Sequence, residues 1–350
     1  MKENNSVRNK SIDCLKGIGI IFVILGHMQR YIPTNLVIYI YSFHMPLFFY
    51  ISGYLYKKTY EEKKIKEYIK KRAKELLYPY ISLSIVNFVW YILKNRSVVN
   101  LSKYLLSFAY SNYIFDVNYV GAVWFLLCLF VVEVCYFILK KKIINEKIFT
   151  VIISVLLFIG IIIVEFANFR LPFWIDIALF GIFFYHIGNL LKRWKEKNIL
   201  RIEQKIILLI ICVIFSIITI VLNYSNCYNE KLLGRVDLLY LNVGNYLYFI
   251  IASILGIFTW HIIAEIINEN KILEICGRNT LLIMGIHIII LQIFGKLIDI
   301  INLGLYDWIK NLIIFGTTLI FSVICSIIIK KYMPWIINYN GWKRKREDEC

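Results

Sequence analysis

Long apolar segments alternate with short polar connections along almost the whole chain. A stretch of about 18 or more apolar residues is long enough to cross a bilayer as an α-helix. The pattern predicts ten spans, at residues 12–32, 36–56, 76–94, 121–139, 148–165, 172–191, 206–223, 243–267, 279–300 and 309–329. The two-residue alternation of an outer-membrane barrel is not seen. We therefore predict an all-α fold, a polytopic transmembrane helical bundle.

Charge predicts the orientation of this bundle. Of the 350 residues, 59% are hydrophobic, which excludes an ordinary soluble domain. If the N-terminus is cytoplasmic, 31 of the 40 Lys and Arg residues fall in cytoplasmic segments. An excess of basic residues marks the cytoplasmic side, so both termini are predicted to be inside. The net charge of +17 then matches anionic lipid headgroups, and no nucleic-acid partner is predicted.

The chain reads as one membrane domain. Residues 1–10 are polar and no small-residue cleavage site follows them, so we expect the first span to be retained. Without a linker rich in Pro, Gly or Ser, we predict a single transmembrane domain over 1–335 and a basic cytoplasmic tail over 336–350. The eight cysteines are scattered without a C-x-x-C pair, which predicts neither a disulfide framework nor a metal site.

Two histidines lie inside the first two apolar segments, His27 and His44. An ionisable side chain in hydrocarbon is costly, so it usually faces a cavity and serves a function there. The alternative for His27 is a hydrogen bond between helices that serves packing only. The alternative for His44 is stronger, because Pro46 frees a backbone carbonyl that a nearby histidine can satisfy.

The most specific pattern runs from Ser11 to Leu55. It reads S-I-D-C-L-K-G-I-G-I-I-F-V-I-L-G-H and then F-H-M-P-L-F-F-Y-I-S-G-Y-L. Further matching segments are Trp124-Phe125-Leu126, Phe184-Tyr185-His186-Ile187-Gly188-Asn189, and Gly277-Arg278-Asn279-Thr280 followed by His287. The chain resembles acyltransferase family 3, and most closely its stand-alone branch of fucose O-acetylase-like proteins. The resemblance implies transfer of an acyl group, commonly acetyl from acetyl-CoA, to a sugar or lipid-linked acceptor, with His27 catalytic.

A histidine suits that chemistry in two ways, which the sequence leaves open. A neutral imidazole can take the proton of an attacking hydroxyl, or it can accept the acyl group itself. Asp13 lies fourteen residues before His27, about 21 Å along one helix, so it cannot orient the ring. By depth, Asp176 and Glu165 are the predicted orienting carboxylates. His44 is predicted either to support the catalytic residues from behind or to stabilise the oxyanion.

Donor binding is predicted on the cytoplasmic side, in the basic segment that ends at Pro79. The phosphates of coenzyme A suit Arg72, with Lys71 and Lys74 as additional point charges. The family usually has a second arginine three residues after the position of Arg72, where this chain has Glu75. The alternative is a basic connection that binds lipid. No permanently bound cofactor is expected, since acyl-CoA is a substrate.

Other residues complete the predicted sites. At the same rim, Asp13 is expected to pair with Lys16, and both are assigned to the donor site. Trp124 is predicted to stack on an acceptor sugar or else to anchor in the aromatic belt. His287 is assigned to substrate binding on the donor side or else to a structural role.

Two further histidines, His186 and His261, are expected at the membrane interface rather than in the active site. The overall prediction is an acetyl-CoA-dependent O-acyltransferase in a bacterial cytoplasmic membrane, acting on a surface polysaccharide or lipid-linked glycan. A transporter or flippase of a lipid-linked sugar, or a sensor without turnover, stays open as an alternative.

Overall fold

A computed structural model describes residues 9–95, 106–107, 120–166, 170–227, 235–301, 304 and 306–338. Its α-helices are α1 (Lys10–His27), α2 (Thr34–Tyr41), α3 (His44–Tyr54), α4 (Ile65–Arg72), α5 (Tyr78–Asn95), α6 (Trp124–Lys142), α7 (Glu146–Phe166), α8 (Ile175–Lys195), α9 (Ile202–Tyr224), α10 (Tyr246–Ile267), α11 (Lys271–Arg278), α12 (Thr280–Ile301) and α13 (Asp307–Tyr332). Short 3₁₀ turns cover Lys58–Tyr60, Gly121–Val123, Pro172–Trp174, Ser225–Cys227, Leu238–Tyr240 and Pro334–Ile336, and a π-helical turn covers Ala73–Leu77. The only β pairing among these described residues is an isolated bridge between Asp237 and Asn242.

Nine helical segments within the described residues are long and apolar enough to cross a membrane. They correspond to the second to tenth predicted spans. The first predicted span is α1, which carries the three charged residues Lys10, Asp13 and Lys16 within its 18 residues and is not one of these nine segments. The prediction of an all-α polytopic bundle is confirmed.

The second predicted span is two helices rather than one. α2 ends at Tyr41 and α3 begins at His44, with Phe43 at φ −142° between them. Pro46 lies in the first turn of α3, where a helix needs no intrahelical N–H donor. The break therefore precedes the proline and makes His44 the first residue of a helix.

The bundle has a buried centre and a lipid-facing periphery. Within the apolar windows, 72% of the α2–α3 residues are buried, but only 22% of those in each of α7, α9 and α13. Buried α1 residues such as Cys14, Leu15, Ile20 and Ile24 pack against α10, α11 and α12. The helix that ends at His27 is therefore surrounded by protein.

Two glycines bring the backbones of α3 and α8 into contact. A Cβ atom at Gly53 would lie 1.8 Å from the carbonyl oxygen of Tyr185, and one at Gly188 would lie 2.0 Å from that of Tyr50. No larger residue fits at either position without moving a backbone. α3 and α8 consequently form one rigid unit that extends from the end of the bundle where His44 lies to the opposite end.

Candidate active site at the histidine cavity

A cavity of about 180 Å³ lies where α1 ends and α3 begins. We call it the histidine cavity, and its lining residues are His27, Gln29, Tyr41, His44, Met45, Trp124, Arg235, Asp237, Leu238, Leu239 and Tyr240. The last residue of one helix and the first residue of another thus bring His27 and His44 to one site. Trp124, the predicted sugar-stacking residue, also lines it.

His287 packs directly beside His27. The two ring centroids are 5.1 Å apart, and the His287 side chain is fully buried. His287 Nδ1 lies 3.0 Å from the carbonyl oxygens of Ile283 and Met284, so this nitrogen carries the proton and donates it. Nε2 of a neutral ring is then an acceptor, and among the described residues it has no hydrogen-bond partner. His287 therefore presents a fixed acceptor in the immediate surroundings of His27.

His44 has one nitrogen held and one available. Its Nδ1 donates to the Ile40 carbonyl oxygen at 2.9 Å, and its ring contacts Tyr41. The carbonyl that Pro46 leaves without an N–H donor is that of Ser42, and Ser253 Oγ donates to it at 2.7 Å. His44 thus satisfies the end of α2, whereas Ser253 satisfies the proline position. The structural role and a role in the cavity are both open to His44, through different nitrogens.

The loop before α10 contributes two charged residues that the sequence did not indicate. Arg235 Nη1 donates to Gln29 Oε1 at 3.0 Å, Nη2 lies 3.3 Å from Asp237 Oδ2, and the guanidinium lies 4.7 Å from the centre of the Tyr41 ring. Backbone bonds between Asp237 and Asn242 close the loop. Burial raises the pKa of the Asp237 carboxyl, and the Arg235 guanidinium opposes this. A buried ion pair therefore forms one wall of the histidine cavity.

Asp176 and Glu165, the carboxylates expected to orient His27, have other partners. Asp176 Oδ2 lies 2.6 Å from Arg170 Nε, and Arg170 Nη1 donates to the Leu239 carbonyl oxygen at 3.0 Å. Glu165 accepts from the hydroxyl of Tyr246 at 3.0 Å. Neither carboxylate is among the described residues that line the histidine cavity or contact His27. Asp176 instead supports the cavity loop through Arg170.

Trp124 is buried inside the bundle rather than exposed at its surface. Its side chain is 6% exposed, and its ring lies 6.3 Å from that of Trp174 and 6.1 Å from that of Phe125. A residue of an aromatic belt would face lipid and water. The structure therefore places Trp124 in the wall of the histidine cavity rather than in an aromatic belt.

Arg72, the predicted donor-binding residue, is already paired with two carboxylates. Its Nε lies 2.8 Å from Glu133 Oε2, and its Nη1 lies 2.6 Å from Glu75 Oε2. Glu75 occupies the position where the family usually has its second arginine, and Lys71 lies 3.8 Å from the same carboxylate. Lys74 lies in the π-helical turn that follows α4. The carboxylates compensate much of the positive charge that was expected to bind phosphate.

Asp13 and His186 are both buried inside the bundle. Arg278 Nε lies 3.6 Å from the carboxylate of the buried Asp13, and the pairing of Asp13 with Lys16 stays a prediction. His186 lies between the hydroxyls of Tyr136 and Thr150 and is only 1% exposed.

His261 has a similarly enclosed position. Its nitrogens lie 2.9 Å from the hydroxyl of Tyr50 and 3.2 Å from the carboxylate of Glu265, and its side chain is 2% exposed. His186 and His261 are therefore buried between helices, where the sequence suggested interfacial positions, and neither lines the histidine cavity among the described residues.

Comparisons with known proteins identify the family. Residues 9–331 match the family model described as an acyltransferase domain. Nodulation protein NolL of Mesorhizobium japonicum (strain LMG 29417 / CECT 9101 / MAFF 303099) is 41% identical over 81 residues, which are 21% of this chain and 22% of that protein. The match thus spans about a fifth of the curated relative. No solved structure matches the chain. Because the family model covers nearly the whole chain, the protein belongs to acyltransferase family 3, a family of integral membrane O-acyltransferases.

Proposed function

We propose that this protein transfers an acyl group, most simply acetyl, from acyl-CoA to a hydroxyl of a cell-surface glycan or lipid-linked sugar in a bacterial cytoplasmic membrane. The observation that carries the proposal is the histidine cavity. It combines His27, a fixed acceptor on His287, a buried tryptophan and a buried arginine in a space large enough for part of a sugar.

The proposed reaction uses His27 as a general base. The acceptor oxygen attacks the thioester carbonyl carbon while the His27 imidazole takes the hydroxyl proton. The tetrahedral intermediate collapses, the carbon–sulfur bond breaks, and the thiolate leaving group takes that proton from the imidazolium. The products are the acyl ester and free coenzyme A, and His27 returns to its neutral form.

His287 is proposed to orient His27. His287 Nε2 receives no hydrogen bond from the described residues, so the proposal requires the His27 ring to turn and donate one N–H to it. The tautomer of His27 is then defined, and its other nitrogen carries the lone pair that serves as the base. This is the role that a carboxylate fills in many histidine-dependent acyltransfer sites. Here the contact of the two rings at 5.1 Å supports a histidine in that role.

Arg235 and Trp124 are proposed to act on the reacting groups. Arg235 supplies a positive charge near the carbonyl oxygen that becomes negative, and burial strengthens such an interaction. Trp124 offers an aromatic face to the apolar side of a sugar ring. His44 Nε2, which is not used by Ile40, can accept a hydrogen bond from a second acceptor hydroxyl.

The proposal is tested by acetyl transfer in nanodiscs with acetyl-CoA and a panel of sugar and glycan acceptors. Mass spectrometry should detect one added acetyl ester with wild type and none with His27→Gln. The matched control is His186→Gln, which removes a buried imidazole outside the histidine cavity and should retain transfer. Equal transfer by wild type and His27→Gln would refute the role of His27.

A further inference from the structure

A second cavity of about 180 Å³ lies at the other end of α3 and α8. We call it the Arg193 pocket, and its lining residues are Tyr56, Lys58, Glu61, Lys140, Glu146, Asn189, Lys192, Arg193 and Glu196. Tyr56 comes just after α3, and Arg193 belongs to the last turn of α8. The proposed function does not assign a role to this pocket.

Several hydrogen-bond donors of its lining residues have no acceptor in the part of the chain that the structure describes. The Tyr56 hydroxyl and both Nε and Nη2 of Arg193 are buried, and none has a hydrogen-bond partner among the described residues. A buried donor without an acceptor loses its hydration without compensation, so proteins rarely keep one unless a ligand or water completes it. Because all three atoms belong to residues that line one pocket, small side-chain rotations would let them bind a ligand that is rich in acceptor oxygens.

The charges of the pocket favour an anion. Four of its residues are basic and three are acidic, and the acidic residues are Glu61, Glu146 and Glu196. Glu146 binds both Arg193, at 2.6 Å, and Lys140. Its side chain is 47% exposed, whereas that of Lys140 is only 6% exposed. A phosphate can therefore displace the carboxylate of Glu146 while both cations stay where they are.

We propose that the Arg193 pocket binds the phosphate groups of the acyl donor, the nucleotide end of coenzyme A. This inference rests on the proposed function, because it assumes that the donor is an acyl-CoA. Arg193 provides the fork of N–H groups that matches phosphate oxygens, and Tyr56 and Lys140 provide additional donors.

The distance between the two cavities fits this donor. α3 begins at His44 in the histidine cavity and ends at Tyr54, two residues before Tyr56 in the Arg193 pocket. Its 11 residues correspond to about 16 Å at 1.5 Å per residue. Coenzyme A carries its thioester at the end of a long pantetheine arm, away from its phosphates. The charged end and the reacting end can therefore occupy separate cavities along one helix.

Arg72 is a weaker candidate for the same contact. Both of its described ion pairs are internal, and the buried partner Glu133 would lose its compensating charge if phosphate displaced it. Arg72 nevertheless lies near the Arg193 pocket, because the Tyr60 ring contacts both the Tyr56 ring and the Arg72 guanidinium. Arg193 has two N–H-bearing nitrogens without an acceptor among the described residues, whereas Nε and Nη1 of Arg72 already pair with carboxylates.

The test measures binding of coenzyme A and 3′-dephospho-coenzyme A to the full-length protein in phosphatidylcholine nanodiscs by isothermal titration calorimetry. Arg193→Gln should weaken coenzyme A binding about tenfold or more, because it removes a charge-assisted contact. Tyr56→Phe should weaken it about threefold, as expected for one neutral hydrogen bond. Glu146→Gln should strengthen it, since the competing carboxylate is gone.

The matched control is Lys147→Gln, which removes one positive charge beside the pocket from an exposed residue that does not line it. Its affinity for coenzyme A should equal that of wild type. Unchanged midpoints of thermal unfolding exclude misfolding as the cause of weakened binding.

Three outcomes would overturn the proposal. If Arg193→Gln and Lys147→Gln both bind like wild type, the pocket is not the donor site, although the acyltransferase function stands. If Arg193→Gln changes the affinity for coenzyme A only in nanodiscs that contain phosphatidylglycerol, the pocket holds a lipid headgroup. If wild type itself does not bind coenzyme A, the proposed donor is refuted together with the site.

Discussion

Replacing His287 with leucine tests whether one histidine orients another in the active site. Leucine has a similar volume and is apolar, so it fills the buried space without offering an acceptor to His27. The Nδ1 bonds that it removes go to the carbonyl oxygens of Ile283 and Met284 within α12. The variant also removes the buried Nε2, an acceptor that receives no hydrogen bond from any of the described residues. We therefore expect the fold to tolerate this change.

The expected effect on catalysis is larger than the effect on stability. Losing one hydrogen-bond partner of a buried group costs about 1–3 kcal/mol. If that interaction holds His27 in the reactive tautomer, the same cost appears in the activation barrier, and the rate falls about 5- to 150-fold. The free energy of unfolding should change by only about 1 kcal/mol, because the main-chain hydrogen bonds of α12 remain.

The assay is a single turnover of acetyl-CoA in nanodiscs with an acceptor glycan present, monitored by release of the free thiol. His287→Gln is the informative companion, because its amide oxygen can accept from His27, and it should retain more activity than His287→Leu. A wild-type rate in His287→Leu, with an unchanged midpoint of unfolding, would refute the orienting role. A fall in rate that parallels a fall in the midpoint would mean that His287 only supports packing.

Three other changes have distinct expected results. Arg72→Ala should lower the thermal unfolding midpoint, since buried Glu133 loses its ion pair at a cost of about 3–5 kcal/mol. The double variant Arg72→Gln with Glu133→Gln should recover most of the lost unfolding temperature. Trp124→Ala should raise the KM for the glycan acceptor far more than that for acetyl-CoA, while Trp124→Phe should lie between in steady-state assays. Gly188→Ala should lower stability by about 1–3 kcal/mol in denaturant titrations, because its methyl group meets the Tyr50 carbonyl oxygen.

Each of these changes has an outcome that would contradict the reasoning. Full stability of Arg72→Ala would mean that Glu133 is neutral in the folded protein and needs no partner. An unchanged KM for the acceptor in Trp124→Ala would assign the indole to packing alone. Wild-type stability of Gly188→Ala would mean that α3 and α8 can separate at little cost.

The sequence was sufficient for the fold class, and the catalytic role of His27 stays a prediction. Hydrophobic segments of membrane length define helices whatever their neighbours are, so eight of the second to tenth spans appear within a few residues of their predicted bounds. The third, predicted at 76–94, begins earlier, because the helical segment there runs over Ile65–Asn95. Because burying an ionisable side chain is costly, the sequence analysis singled out His27 and His44, and the structure places both in one cavity. The break between α2 and α3 was missed, because hydropathy alone does not register a change of direction inside an apolar stretch.

The partners of the candidate residues could not be read from the sequence. Asp176 and Glu165 were chosen by depth along separate helices, but rotation of each helix about its axis decides which neighbour a side chain meets. Arg235 and Asp237 lie in a polar connection, and only the folding of that loop over Gln29 brings them into the cavity. For Arg72, the compensating Glu133 lies sixty-one positions later in the chain on another helix.

The most direct test of the account separates donor binding from donor cleavage at His27. Acetyl-CoA binding, and thiol release in the presence of an acceptor glycan, should be measured on the same nanodisc preparations of wild type and His27→Ala. The account predicts that His27→Ala binds acetyl-CoA like wild type but releases thiol at least about a hundredfold more slowly, as expected when a general base is lost. Thiol release at the wild-type rate by His27→Ala would contradict it.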